Sequence, residues 1–134
     1  MRGRMMALIL NAGLLAASAA AAPALDFRDY DNDLMRDLDR TIKYFEPDIA
    51  GGNADAAKED LDLLADGFRY TENYFSKKTG ADDAVEISRK GAKIIADVRE
   101  LVEKSDFDAA AAAARETPSV CKSCHDIYKP RLAR

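Results

Sequence analysis

Three successive stretches of this chain repeat apolar residues at alternating steps of three and four. That spacing constrains the fold more than any other feature, because it belongs to helices packed lengthwise against one another. In 26–50 the positions are Met35, Leu38, Ile42, Phe45 and Ile49, with Pro47 near the end and Gly51-Gly52 as the stop. Asn53 suits the cap of the next stretch, where Ala57, Leu61, Leu64, Phe68, Thr71 and Phe75 form the seam. Thr71 is its one polar member. Lys77 and Lys78 suit the negative end of that helix, and Gly80 terminates it. A third stretch opens at Asp82 or Asp83, carries Ile87, Gly91, Ile94, Val98 and Leu101, and ends near Lys104. A fourth opens at Ser105 or Asp106 and runs through six alanines toward the C-terminus.

The short connections favour antiparallel neighbours, so the expected fold is all-α, an antiparallel up-down-up-down four-helix bundle. Composition agrees. The 134 residues include 25 alanines, and no stretch alternates apolar with polar as a half-buried strand does. Two positions conflict locally with the pattern. Gly91 lies inside a seam, where two readings stand: tight helix contact, or close approach of a bulky cofactor. Pro118 falls inside the fourth stretch, which therefore either kinks or restarts with Thr117 as cap and Pro118 at the first helical position.

The first 24 residues read as an address. Arg2 and Arg4 form a basic start, Met5 to Ala17 an apolar run broken only by Asn11 and Gly13, and Ala20/Ala22 and Ala22/Ala24 are small-residue cleavage pairs. The competing reading is an uncleaved anchor, but much of the run is weakly hydrophobic alanine at barely the ~18 residues a span needs. Pro23 would be an awkward first residue, so the expected cut follows Ala24. The expected product is residues 25–134, periplasmic and free of the membrane. Loss of two arginines takes the formal charge from −4 to −6. That sign argues against nucleic acid as a partner.

The chemistry lies in Cys121-Lys122-Ser123-Cys124-His125. C-x-x-C-H is the attachment signature of a c-type haem. On a helix, residues three apart share a face, so both thiols can reach the two vinyl groups of one porphyrin while His125 offers its imidazole to the iron. Other chemistries suit the motif less well. A thioredoxin-like pair would follow a strand, and no βαβ pattern is present. A disulfide across three helical residues would be strained. Structural zinc needs four ligands where this chain clusters three. No Ser-His-Asp set is available once the single histidine is given to iron, so the chain reads as a non-enzyme.

With this motif about ten residues from its C-terminus, the chain resembles the class II c-type cytochromes: the cytochrome c′ group and its low-spin relatives, which carry haem on the last helix of a bundle. The resemblance implies one covalent haem c with its iron. In that family an aromatic stands three residues after the histidine and an arginine at the fourth; here they are Tyr128, which also reads as a core aromatic, and Lys129. The resemblance implies that Lys129, or Arg131 nearby, pairs with a haem propionate, although lysine lacks the planar fork of arginine.

The sixth ligand decides what such a haem does. Met35 is the one methionine left once the leader is removed. A methionine at core spacing ordinarily only packs. In an antiparallel bundle, however, the start of the first helix lies level with the end of the fourth, which brings Met35 to His125. The stretch Asp33 to Lys43 also resembles the first helix of soluble bundle cytochromes with b-type haem, which ligate iron through methionine there. Leu38, Ile42, Phe68, Phe75, Ile87 and Ile94 stand as ordinary core or as porphyrin contacts. The expected function is periplasmic electron transfer with His125 and Met35 as axial ligands. The alternative is a cytochrome c′-like protein with His125 alone on the iron, binding NO or CO; a haem-free thiol protein is a third. Asp29, Asp31, Asp33, Asp37 and Asp39 read either as a solvated face or as a docking patch for a basic redox partner. Tyr30, Tyr44, Tyr70 and Tyr74, off the main seams, are either a homodimer contact or scattered aromatics.

Overall fold

The structure, a computed structural model, describes residues 25–132 and is an all-α bundle. The leader assigned to residues 1–24 and the side chain of Arg131 lie outside the described residues. The helices are α1 (Asn32–Ala50), α2 (Ala54–Ser76), α3 (Asp82–Glu103), α4 (Phe107–Ala114) and α5 (Thr117–Leu132).

The helix starts follow from capping chemistry. Asp31 accepts from the amides of Asp33 and Leu34, Asn53 from Ala56, and Asp106 from Ala109, each satisfying amides that the first turn leaves free. The cap at Asp31 corrects the expected start of the first helix. Residues 25–31 are not helical but an arm laid across the end of the bundle, with Phe27 and Tyr30 buried. Gly80, at φ +81°, turns the chain from α2 into α3 in a conformation that costs a side-chain-bearing residue.

Cross-helix pairs fix the directions. Asp62 and Glu72 of α2 meet Arg99 and Arg89 of α3, each at 2.7 Å, so these two helices run antiparallel. The amide of Asp31 donates to the Tyr70 hydroxyl, which sets the start of α1 beside the later half of α2. Tyr128, late in α5, donates to the carboxylate of Asp83 at the start of α3. The start of α1 and the end of α5 are thereby both placed at the end of the bundle where α2 turns into α3.

The core has two parts. The main one joins Phe45 and Ile49, Leu61 and Leu64, Ile95, Val98 and Val102, and the alanines of α4, whose small side chains let that helix sit close. The second, at the opposite end, gathers Phe27, Tyr30, Phe75, Val85 and Tyr128 around the arm. The seams of α1 and α2 are as expected, except that Met35, Leu38, Ile42 and Phe68 are only half-buried. On α3 the buried line is Ala84, Ser88, Gly91, Ile95, Val98 and Val102. Ile87, Ile94 and Leu101 stand beside it and are half-buried. α3 packs against α2, α4 and α5, so its apolar face is wider than one seam and is centred one residue further on.

The fourth stretch breaks into α4 and α5 at Arg115–Glu116. Pro118 has no N–H for the Ala114 carbonyl, and the last turn of α4 tightens into a Glu116 N–H to Ala113 bond. Pro118 falls in the first turn of α5, where a missing donor costs least. Thr117 does not cap: its hydroxyl is buried without a hydrogen-bond partner.

Candidate functional site

α5 carries the motif in the register that sequence implies. Cys121, Cys124 and His125 share a face turned into the bundle, while Lys122 pairs with Asp126 on the outer side. α1 presents the same spacing opposite, with Met35, Leu38 and Asp39. The two sets enclose an apolar cavity of about 50 Å³, completed by Leu64, Gly67, Phe68, Thr71, Ile87, Ser88 and Val120. A second cavity of about 250 Å³ adjoins it, lined by Phe27, Tyr30, Asn32, Met35, Thr71, Phe75, Cys124, His125, Tyr128 and Lys129. Met35, Thr71, Cys124 and His125 line both, so the thioether and the imidazole stand where the two spaces meet.

Each predicted site residue thus has a definite place. Met35, Cys121, Cys124 and His125 are half-buried and brought together, both cysteines carrying free thiols. Lys129 is exposed at the wall of the larger cavity. Leu38, Phe68 and Ile87 line the smaller cavity and Phe75 the larger; Ile42 and Ile94 line neither and pack on the main core. Sequence reasoning missed Phe27, Tyr30, Asn32 and Asp39. The first two were read as part of a helix, although two aromatics just ahead of the capping Asp31 are a signal for a packed arm.

Polar groups on the walls are arranged economically. Thr71, the polar member of the α2 seam, donates to the Gly67 carbonyl at 2.8 Å. A hydroxyl has one proton, so the 2.8 Å contact with Tyr30 must be donated by the tyrosine. Burial pushes the Tyr30 phenol up to about 12, which keeps it a donor. Tyr128 donates to Asp83 and packs edge-on against Phe27, 5.6 Å between ring centres. It is a core aromatic with a satisfied hydroxyl.

The site holds its donors uncharged. Burial first, then the carboxylate of Asp83, pushes the Cys124 thiol up to about 11. Burial and Asp39 raise Cys121 as well. His125 is lowered, by burial first and then by the Lys129 cation, against Asp39 and Asp126. Its imidazole is therefore neutral near pH 7, the form that binds metals.

The donor set fits a c-type haem: two thiols three residues apart, an adjacent neutral imidazole and a facing thioether, within apolar walls. The space is tight: the cavity that all four donors line measures about 50 Å³ and the adjoining one about 250 Å³, both under the ~300–1,000 Å³ usual for small-molecule sites. Among the described residues, no three His, Cys, Asp or Glu side chains cluster to hold a bare metal ion, and no helix is long and apolar enough to cross a membrane.

Of the five acidic residues read as a solvated face or a docking patch, three are paired: Asp33 with Arg36, Asp37 with Arg40, and Asp29 with Lys78. Three of the four tyrosines are likewise engaged within the chain. Tyr30 is buried, Tyr70 accepts from Asp31, and Tyr74 donates to Asp29; Tyr44 alone is well exposed, at 61%.

Compared with known proteins, the chain matches no family model, no curated protein and no solved structure.

Proposed function

We propose that this chain is an exported electron carrier of the class II cytochrome c type, holding one covalent haem c. The reading rests on one observation above the rest: Cys121, Cys124, His125 and Met35, from opposite ends of the described chain, line one cavity. Cys121 and Cys124 would hold the group through two thioethers, and His125 and Met35 would supply nitrogen and sulfur donors to its iron. Bound there, haem supplies a one-electron iron couple.

The remaining work falls to the chain itself. The mostly apolar walls and two uncharged donors would favour the less charged ferrous state of a bound haem. Lys129, exposed beside the larger cavity, is the cation placed to meet a carboxylate at its mouth. The leader-like residues 1–24 would take the protein to the periplasm, the compartment in which such attachment occurs. Partners would be other redox proteins. Because most carboxylates near α1 already have their own cations, the fit of that partner depends less on net charge than the sequence suggests.

The absorption spectrum of the purified holoprotein beside a Met35→Leu variant tests the reading. A low-spin wild-type ferric spectrum with a sulfur-to-iron band, converting to high spin in the variant, is the expected result. A high-spin spectrum that the substitution leaves unchanged, with CO binding after reduction, would assign the gas-binding role with His125 alone.

A further inference from the structure

Two glycines at the level of the smaller cavity each accept a side chain that lines it. A Cβ at Gly67 of α2 would lie 2.4 Å from Leu38 Cδ2 of α1, and one at Gly91 of α3 would lie 2.1 Å from Phe68 Cε1 of α2. Gly67 and Phe68 are neighbours, so the contacts form a ladder: α1 into α2, then α2 into α3. Both glycines are buried inside helices and neither has positive φ. The backbone therefore does not require glycine, and glycine is a poor helix former. What its absence of a side chain provides is space. Leu38 and Phe68 are both walls of the cavity that Cys121, Cys124, His125 and Met35 share. At Gly91 the tight-contact reading holds: the ring of Phe68, a wall of the cavity, fills the place of a side chain, while Gly91 itself lines neither cavity.

We propose that Gly67 and Gly91 are retraction notches that draw Leu38 and Phe68 out of the space between α1, α2 and α5, setting the width of the planar group the site admits. This rests on the haem reading above. A methyl group at Gly91 leaves the rigid ring of Phe68 no seat on α3, and the open side of that ring is the cavity.

The test expresses the full-length chain with haem-attachment machinery and reads haem per chain by pyridine haemochrome, the ferric spectrum, and the Tm of the haem-free protein. Gly91→Ala is expected to lower haem per chain several-fold and to alter the spectrum of what is loaded. Adding Phe68→Ala is expected to restore both. Val98→Ala, on the same helix and fully buried but lining neither cavity, is expected to lower Tm while loading fully. Should Gly91→Ala not accumulate, Gly67→Ala serves, because it meets a flexible leucine, mainly at its two terminal methyls, rather than a ring; partial loading is expected. The proposal is overturned if either glycine variant loads like wild type with an unchanged spectrum, if removing the ring restores nothing, or if Val98→Ala loses haem in step with its Tm. A wild-type protein without haem removes the functional reading itself, and this inference with it.

Discussion

At the scale of single residues, two side-chain oxygens among the described residues, those of Asp60 and Thr117, are buried without a hydrogen-bond partner. Asp60 is the first. One of its oxygens is buried without a partner, and burial, followed by the nearby charges of Asp48 and Glu59, raises its pKa to about 6. The folded state thus holds the Asp60 proton more tightly than the unfolded chain, where a carboxyl titrates at ~3.9. The sign follows: as pH rises from about 4 to about 6 the folded state loses stability, and above that range the full cost persists. Asp60→Asn is therefore expected to stabilise the protein at pH 7 by about 1 kcal/mol, since the group is partly solvated, and to have little effect at pH 4. Urea unfolding at the two pH values measures this; equal effects at both would contradict the assignment. Thr117 is the second. Its side chain is fully buried and its hydroxyl has no partner. Thr117→Val keeps the shape and removes the orphan, so a gain of about 1 kcal/mol in unfolding free energy is expected. A loss instead would mean that a buried water satisfies the hydroxyl.

At the scale of elements, the legible and the illegible parts have different physical origins. The seams of α1 and α2 were readable because each helix buries one narrow stripe, and a stripe leaves a period in the sequence. The caps at Asn53 and Asp106 were readable because capping is local chemistry. On α3 the same method found Gly91 and Val98 but placed Ile87, Ile94 and Leu101 on the stripe, each one residue short of the buried Ser88, Ile95 and Val102. A helix with neighbours on several sides has no single stripe, and small residues such as Ala84 and Ser88 carry the burial that bulky ones advertise elsewhere. The arm at 25–31 was misread because an irregular segment has no period; its order comes from long-range ties. Tyr70 accepts from the arm, while Tyr74 and Lys78 donate to it, and Phe27 packs on Phe75 with ring centres 5.6 Å apart. The motif itself was fully legible, since its spacing needs nothing but a helix. The ladder of Leu38 on Gly67 and Phe68 on Gly91 was not, because which side chain fills a glycine's gap is decided by the neighbouring helix.

At the scale of the whole molecule, the bundle divides its labour between its ends. Alanines of α4 close one end tightly around Phe45, Ile49 and Leu61. The break at Arg115–Glu116 then starts α5 afresh, and the aromatic core around the arm closes the other end. Between them lies the space that Met35 and His125 share, with contributions from the first and last helices. The ion pairs across the surface have at least one well-exposed partner and contribute little to stability, so apolar packing holds this arrangement. The proposed function requires a porphyrin bonded to α5 through its two sulfurs. The most direct measurement is the pyridine haemochrome and intact mass of protein made in a host competent for haem attachment, beside a Cys121→Ala/Cys124→Ala variant. One haem per chain that resists acid–acetone extraction, and that the double variant cannot retain, is the predicted result. A colourless wild-type protein with two titratable thiols would contradict it.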